Sequence, residues 1–588
     1  MSDNPSVPLP PPAAEARGGE SLLDKAAPWI GGGLLALPTL IARYPPMTDL
    51  PFHEGVIAVL RHMNDPSWFP HGLYHHNFGH PNQLFTIAGW LLSYVVPVTW
   101  ACKLLIFATV VAIAVCAGRF AAHLGASRWT ALVVAPVALG WTFYWGLVAN
   151  LTGLAALLFV LPSFDRLAER PTAKSAGRAI LGMVLLYFAH EAMMICGCVA
   201  IALLVVCHPL RVKDTLLRMS PAIFASGLFV GELRWAVSMS SKTVSSIPDT
   251  YMPLLHKIVT LPRALLGGHE PVLQYLLFGM VVLTVLVFAL ARWNSRGPVE
   301  TTPRELAHHF RFELLAALFL AAYMAMPYTV DGATLIYHRF LPPTFAVFVV
   351  AIAPRKAPGI PRLAKVLAAT LPLGSLFIVW PEFADSDRAY RELDVLLPLI
   401  DKNSAVAEIE LGSDQAGRIF SMASGGARVL PERGGRLLYS LTDSPIAAVQ
   451  MASEYQWNES LARIVFHTYK LRPSWDSLRY RYFIAHVPGG PIDALAAIAM
   501  APDAKLLGTS GEWMLFESTH EVIPELSPDS PLPEPKPESL LKRMNRAYDE
   551  AVKESGRPAP GPMPLPKNIN EVEDGDTINA QPDHHHPQ

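Results

Sequence analysis

Charge is what this sequence has least of. Only 16% of its 588 residues are Asp, Glu, Lys or Arg, against about 25% in a typical soluble domain. The formal net charge of -2 gives no basic field for nucleic acid, which is not expected as a partner. Cysteine is scarce as well. Its five copies, Cys102, Cys116, Cys196, Cys198 and Cys207, all lie in or beside apolar runs. The polar C-terminal part has none, so no disulfide supports it. Cys196 and Cys198 lack the second ligand pair that a metal site would need, and read as core packing. The N-terminus, MSDNPSVPLPPPAAEARGGE, lacks the basic n-region and apolar core of a cleavable signal peptide.

Apolar residues fill the space that charge leaves, at 51% of the chain. Repeated apolar runs of membrane-crossing length predict a polytopic α-helical membrane protein of about eleven spans. The first runs from about 27 to 44 and the last from about 366 to 381. The stretch QLFTIAGWLLSYVVP at 83–97 is short for a span and is expected to lie along the interface. The run AILGMVLLYFAHEAMMICGCVAIALLVV at 179–206 is too long for one ordinary span. Basic residues flank it on both sides, so it reads as two short helices meeting at His190–Glu191. With that reading, Lys and Arg concentrate in loops on one side of the membrane, which places the N-terminus in the cytoplasm. The expected location is the cytoplasmic (inner) membrane, multi-pass.

Four regions follow. Residues 1–26 are expected to form a disordered cytoplasmic tail, and 27–381 the membrane domain, with 45–97 as its first external loop. Residues 382–520 alternate strand-like SAVAEIEL, YFIAHV and EWMLFES with helix-like RELDVLLPLIDK and PIDALAAIAMAP, which predicts a small extracytoplasmic α/β domain. Residues 521–588 are rich in proline and charge and are expected to be disordered. The DHHHPQ end of this segment reads as a solvated tail.

Chemistry concentrates in the outer connections. MTDLPFHEG at 47–55 puts Asp49, His53 and Glu54 where the first span ends. The following FHEGVIAVLRHM has helical spacing, with Phe52, Val56, Val59, Leu60 and Met63 facing lipid or protein. The N-terminus of that helix would favour an ionised Asp49. A carboxylate held at the outer face can accept a proton from an incoming hydroxyl; it can equally just cap the helix. His71, His75, His76 and His80 have side chains suited to a metal, with His75, His76 and His80 as the candidate ligands. The loop's prolines and glycines make helical spacing uninformative there. His190, Glu191, Glu232, Arg234, His338 and Arg339 fall near outer ends of spans, where ionisable groups face a cavity or a partner. Arg339 has the planar fork that suits a phosphate, and equally suits an interface anchor.

An Asp at the end of the first span, a surface helix, the stretch WFPHGLYHHNFGHP, the basic loop GRFAAHLGASRW, the paired run around YFAHEAMMI and the segment YHRF together resemble the GT-C class of membrane glycosyltransferases and its bacterial relatives. The resemblance covers roughly residues 27–520. It implies a polyprenyl-phosphate-linked sugar as donor, a glycan, lipid or protein acceptor, membrane lipid as a further partner, and transfer at the outer face. Carried over, Asp49 takes the place of the general base and Glu54 that of a second candidate. Arg339 takes the donor phosphate. His53, His190, Glu191 and His338 line the substrate cavity. A divalent metal is the one cofactor it suggests, although the paired acidic pattern of metal-using members is missing from TDLPFHE.

Two other readings stay open at this point. One is a carrier, flippase or assembly protein on the same fold, for which Glu232 and Arg234 would serve. The other is a metal-dependent enzyme built on the histidine-rich loop.

Overall fold

A computed structural model describes residues 21–208, 211–239, 250–267, 271–294, 302–330, 335–355, 362–411, 424–452, 471–487, 491–501, 503–523 and 538–555. The DHHHPQ stretch and residues 1–20 lie outside these. Among the described residues, five helices are long and apolar enough to cross a membrane: Val98–His123, Val148–Glu169, Val212–Trp235, Val272–Asn294 and Arg362–Leu399. The eleven expected spans are not reproduced as eleven helices of that length. The expected span at 129–147 is broken into the helix Thr130–Val134, a 3-10 turn at Ala135–Leu139 and the helix Trp141–Tyr144. Pro136 and Gly140 sit in this stretch, and both interrupt regular helical hydrogen bonding. Other apolar helices, Glu191–Val206, Arg311–Ala325 and Leu341–Ile352, fall short of the ~20 residues a span needs.

The first helix, Leu22–Ile41, starts with a capping box between Ser21 and Asp24 and packs on the Val98–His123 and Arg362–Leu396 helices. The stretch 83–97 forms the nine-residue helix Leu84–Leu92, about 13 Å long and too short to span. The run 179–206 forms two helices, Ala173–Ala189 and Glu191–Val206. His190 lies between them in extended conformation, at φ -168° and ψ 129°. Both pack on the Val148–Glu169 helix and on each other.

The Leu50–His62 helix is more deeply buried than an interfacial helix would be. Phe52, Val56, Val59 and Leu60 are buried as the spacing predicts, but so are Ile57 and Ala58 on other faces. The helix is sandwiched. Its Gly55 meets Leu430 of the C-terminal part, where a Cβ would lie 2.9 Å from the leucine side chain. Its other sides meet the Leu84–Leu92 and Val98–His123 helices.

The C-terminal part holds a five-stranded sheet with order β3-β2-β5-β7-β6. Its strands are β2 (Ala405–Glu410), β3 (Arg436–Leu437), β5 (Tyr482–His486), β6 (Ala504–Ser510) and β7 (Trp513–Ser518). The β2–β3 and β2–β5 pairs are parallel, and β7 is antiparallel to both β5 and β6. Alternation along β5 and β7 sorts side chains to two faces. Phe483, Ala485, Met514 and Phe516 join one core with the Pro491–Met500 and Leu540–Ser555 helices. Tyr482, Ile484, Trp513 and Leu515 join the main core of the chain.

Two expectations about this part are corrected, and one feature is new. Helix Arg362–Leu396 runs unbroken across the expected boundary at 381–382, so the sheet rests on the extension of a long apolar helix: Trp513 Nε1–H donates to Ala389 O at 3.0 Å. Residues 540–555, assigned by composition to a disordered tail, form a helix whose Leu540, Met544 and Ala547 are buried against the sheet. Three apolar residues at helical spacing outweigh the polar average there. Finally, a second small sheet pairs β1 (Tyr74–His76) of the first loop with β4 (Val449–Met451), so the loop and the C-terminal part share backbone hydrogen bonds.

Candidate active site

The position of Asp49 is set by backbone contacts. Thr48 N–H donates to Tyr144 O at 2.8 Å, and Asp49 N–H to Trp145 O at 3.2 Å. This approach requires a glycine. Gly146 has φ +77°, and a Cβ there would lie 2.6 Å from Asp49 N, closer than a side chain tolerates. Asp49 occupies the N-cap of the Leu50–His62 helix, yet its side chain makes no capping hydrogen bond. The capping role is therefore not the one the structure assigns. Burial pushes the carboxyl up to about 7, with the Arg339 guanidinium opposing the shift. A helix N-terminus alone would hold it ionised. Desolvation prevails because the side chain makes none of the N–H bonds through which that stabilisation acts. The residue keeps partial access to solvent.

Arg339 arrives from a 3-10 turn, Tyr337–Phe340. Its Nη1 lies 3.5 Å from Glu191 Oε1, a long ion pair. Its charge acts on both Asp49 and His190. His190 is buried and accepts a hydrogen bond at Nδ1 from Ala192 N–H at 3.1 Å, so its neutral form carries the proton on Nε2. Asp49, His190, Glu191 and Arg339, from three distant segments, thus share one electrostatic neighbourhood.

His338 stacks on Tyr337 at 4.0 Å and on Trp141 at 5.9 Å between ring centroids. Trp141 also carries the Arg263 guanidinium over its ring at 4.8 Å. His53 hydrogen-bonds the Gly146 carbonyl; burial pulls it down to about 4 despite that bond. It is neutral near pH 7 and braces the turn that holds Asp49.

Glu54 faces elsewhere. It forms a buried ion pair with Arg428 of the C-terminal part. Arg428 also donates to Thr99 Oγ1 at 3.1 Å, Tyr44 Oη at 2.6 Å and Glu432 at 2.9 Å. Glu54 therefore fastens the loop to the domain.

The histidine-rich loop braces the 190–191 elbow. Glu191 N–H donates to Asn82 Oδ1 at 3.0 Å, and Tyr187 Oη–H donates to Gly79 O at 3.2 Å. His80 is held by Glu232 at 3.0 Å and by Asn77 Oδ1 at 3.1 Å. His75 and His76 are exposed neighbours on β1, where successive side chains point to opposite faces. Among the described residues, no three His, Cys, Asp or Glu side chains converge as a metal site would require. The trio His75, His76 and His80 is corrected accordingly.

Several residues at this site were not singled out from sequence. Tyr439 of the C-terminal part packs edge-on against Phe52, with ring centroids 5.1 Å apart, one turn from Asp49. Its phenol is pushed up by burial and by the Asp49 charge. Trp141 and Trp145 have indole N–H groups with no partner among the described residues. Asn150 is completely buried, and neither atom of its amide has a partner there. An unpaired buried polar group costs about 1–3 kcal/mol. The only sequence signal was WTFYWGLVAN, an aromatic break with one amide inside an apolar run.

No protein-family model matches this chain, and no curated protein matches it. Solved structures do align with it. ArnT from Cupriavidus metallidurans bound to undecaprenyl phosphate is 10% identical, with TM-score 0.46, over 84% of this chain and 98% of that one. The Archaeoglobus fulgidus oligosaccharyltransferase in complex with Zn and sulfate is 10% identical, with TM-score 0.37, over 80% and 69%. The same oligosaccharyltransferase tethered to an acceptor peptide is 12% identical, with TM-score 0.39, over 89% and 77%. Similarities this low carry no residue-level correspondence, and the functional reading rests on this chain's own geometry.

Proposed function

We propose that this protein is a membrane glycosyltransferase that moves a sugar from a polyprenyl-phosphate donor to an acceptor hydroxyl at the outer face of the cytoplasmic membrane, with Asp49 as general base. The observation that carries the reading is the state of Asp49. Its carboxyl does not cap the helix it begins, retains partial access, and has a proton affinity near neutrality. A base works best when its pKa lies near the operating pH.

Arg339 supplies the complementary charge. Its long contact with Glu191 is one that the singly charged phosphodiester of the donor can replace, more strongly as the lipid phosphate gains its second charge on leaving. Arg263, stacked on Trp141, has no hydrogen bond or ion pair among the described residues, and the same indole stacks on His338, the residue before Arg339. In the proposed step the acceptor oxygen attacks the anomeric carbon while its proton passes to Asp49. The carbon–oxygen bond to phosphate breaks, and the lipid phosphate leaves with the electron pair, held by Arg339. A substrate with a prenyl tail and a phosphosugar head suits a base fixed where a long apolar helix bundle ends. The C-terminal sheet, fastened through β1–β4 and Glu54–Arg428, covers the acceptor side with Tyr439.

The test is sugar transfer from a radiolabelled polyprenyl-phosphate monosaccharide in proteoliposomes, with wild type and Asp49→Asn. Transfer that survives the substitution would overturn the base assignment. Carrier or flippase action would instead show as lipid movement across the vesicle without a new glycosidic bond.

A further inference from the structure

Gly146 and Gly153 bracket a short stretch of chain. At Gly146 a Cβ would strike the Asp49 backbone. At Gly153 a Cβ would lie 2.7 Å from His190 Cβ and 2.6 Å from Met193 Cγ. Trp145 stands immediately before Gly146, and Asn150 lies between the two glycines, three residues before Gly153 in the Val148–Glu169 helix. Residues three apart share a helix face, so Asn150 lies on the face that meets the His190 elbow. Trp145 lies on the Asp49 side, because its carbonyl accepts the Asp49 N–H.

Both residues carry polar groups without partners among the described residues. Among the described residues the Trp145 Nε1–H has no partner, nor have Asn150 Oδ1 and Nδ2, and Asn150 is 0% exposed. Native chains satisfy the large majority of such groups, so one left unsatisfied calls for a reason. A purely structural residue at position 150 would be served equally well by leucine, as positions 151, 154, 157 and 158 of the same helix are.

We propose that Trp145 and Asn150 form the subsite for the transferred sugar, between Asp49 and His190, reading its ring hydroxyls. This rests on the glycosyl-transfer reading and deepens it. A neutral amide offers one acceptor and two donors, which matches a pair of neighbouring hydroxyls, each able to donate and accept. A phosphate only accepts and is already matched by Arg339. The indole adds an N–H and a flat apolar face for the C–H side of a sugar ring. Trp145 is partly exposed and is met first; Asn150 is reached by the hydroxyls that insert past it. Specificity of this kind is strong, because a sugar lacking the right hydroxyl leaves the amide unpaired.

The experiment uses the full chain in nanodiscs. Binding is measured for decaprenyl phosphate and for a panel of decaprenyl-phosphate monosaccharides: a hexose, a pentose and an amino sugar. Thermal unfolding is recorded alongside. Wild type is expected to bind at least one sugar-bearing lipid more tightly than the bare phosphate. Asn150→Leu is expected to erase about ten-fold or more of that preference, to leave bare-phosphate affinity unchanged, and to melt at the same or a higher temperature. Trp145→Phe keeps the ring, removes the N–H, and is expected to give a smaller loss; it also serves if Asn150→Leu does not fold. The proposal is overturned if no sugar-bearing lipid outcompetes the bare phosphate, if the preference survives both variants, or if Asn150→Leu melts lower with its preference intact. Arg339→Leu separates the two levels. If bare-phosphate binding does not need Arg339, the transferase reading itself fails; if it does, failure at Asn150 concerns the sugar subsite alone.

Discussion

Arg428 of the C-terminal part and Glu54 of the first-loop helix form an ion pair in which both side chains are buried, 1% and 2% exposed. The pair joins segments 374 residues apart in sequence. Removing one partner strands a charge away from water, which typically costs about 3–5 kcal/mol, whereas replacing both with apolar groups of similar volume is often neutral. Arg428→Met, which leaves Glu54 without its cation, is expected to lower stability by about that amount, and Glu54→Gln by less, because Arg428 keeps Glu432. The double variant Glu54→Leu/Arg428→Met is expected to recover much of it. Thermal unfolding of the four proteins in one detergent checks this, and additive losses in the double variant would contradict it.

Asp49 has opposite effects on stability and activity. Its carboxyl is raised from 3.8 to about 7. The folded chain therefore binds a proton that the unfolded chain has released, and stability falls as pH rises from about 4 to about 7. Asp49→Asn removes this penalty. Partial access to solvent reduces the effect, so the variant is expected to be more stable by about 1–2 kcal/mol near pH 8 and unchanged near pH 4. Its transfer activity is expected to fall by about 10²–10⁴. A variant destabilised at both pH values would mean that Asp49 makes structural bonds.

For the wild type, a base works only when deprotonated. The kcat/KM for transfer is expected to rise with pH to a midpoint near 7, the value burial gives Asp49, and to level off above it. A profile already flat from about pH 5 upward would show that the base has an ordinary carboxylate pKa.

His486 on β5 lies between two carboxylates. Its Nδ1 is 2.8 Å from Glu410 Oε1 and its Nε2 is 3.1 Å from Glu512 Oε2. Burial lowers its affinity for a proton, but Glu410 and Glu512 outweigh burial and raise it to about 9. The stabilisation is complete below about 6.5, the unfolded value, and is lost as pH rises through about 9. The C-terminal domain is expected to weaken by about 1–3 kcal/mol across that window. His486→Gln is expected to flatten the dependence. Proteolytic susceptibility of the domain against pH would report it.

Gly146→Ala tests the close approach that places the base. The residue has φ +77°, and the added methyl would sit 2.6 Å from Asp49 N and 3.1 Å from Asp49 Cα. The strain is expected to cost about 1–3 kcal/mol, and the displaced Asp49 is expected to lose activity well beyond the stability effect. Unchanged kcat/KM in a folded Gly146→Ala protein would show that the position of Asp49 is not set by this turn.

Local patterns settled a good deal by themselves. Short runs of strand-forming residues gave β2, β5 and β7, and a basic residue on each flank gave the two helices that meet at His190, because these signals reside in neighbouring residues. The same patterns misjudged 129–147, where an apolar average hid Pro136 and Gly140, and 540–555, where a polar average hid three spaced apolar residues. Sequence could place Asp49 just after the first apolar run. It could not say whether the carboxyl capped the helix that follows, because that depends on Gly146, nearly a hundred residues away, and on the desolvation its neighbours impose. Nor could it separate Glu54 from Asp49 as a base. That distinction comes from Arg428, buried in the C-terminal part, since whether a carboxylate is paired or poised is decided by the partners that folding brings to it and not by its place along the chain.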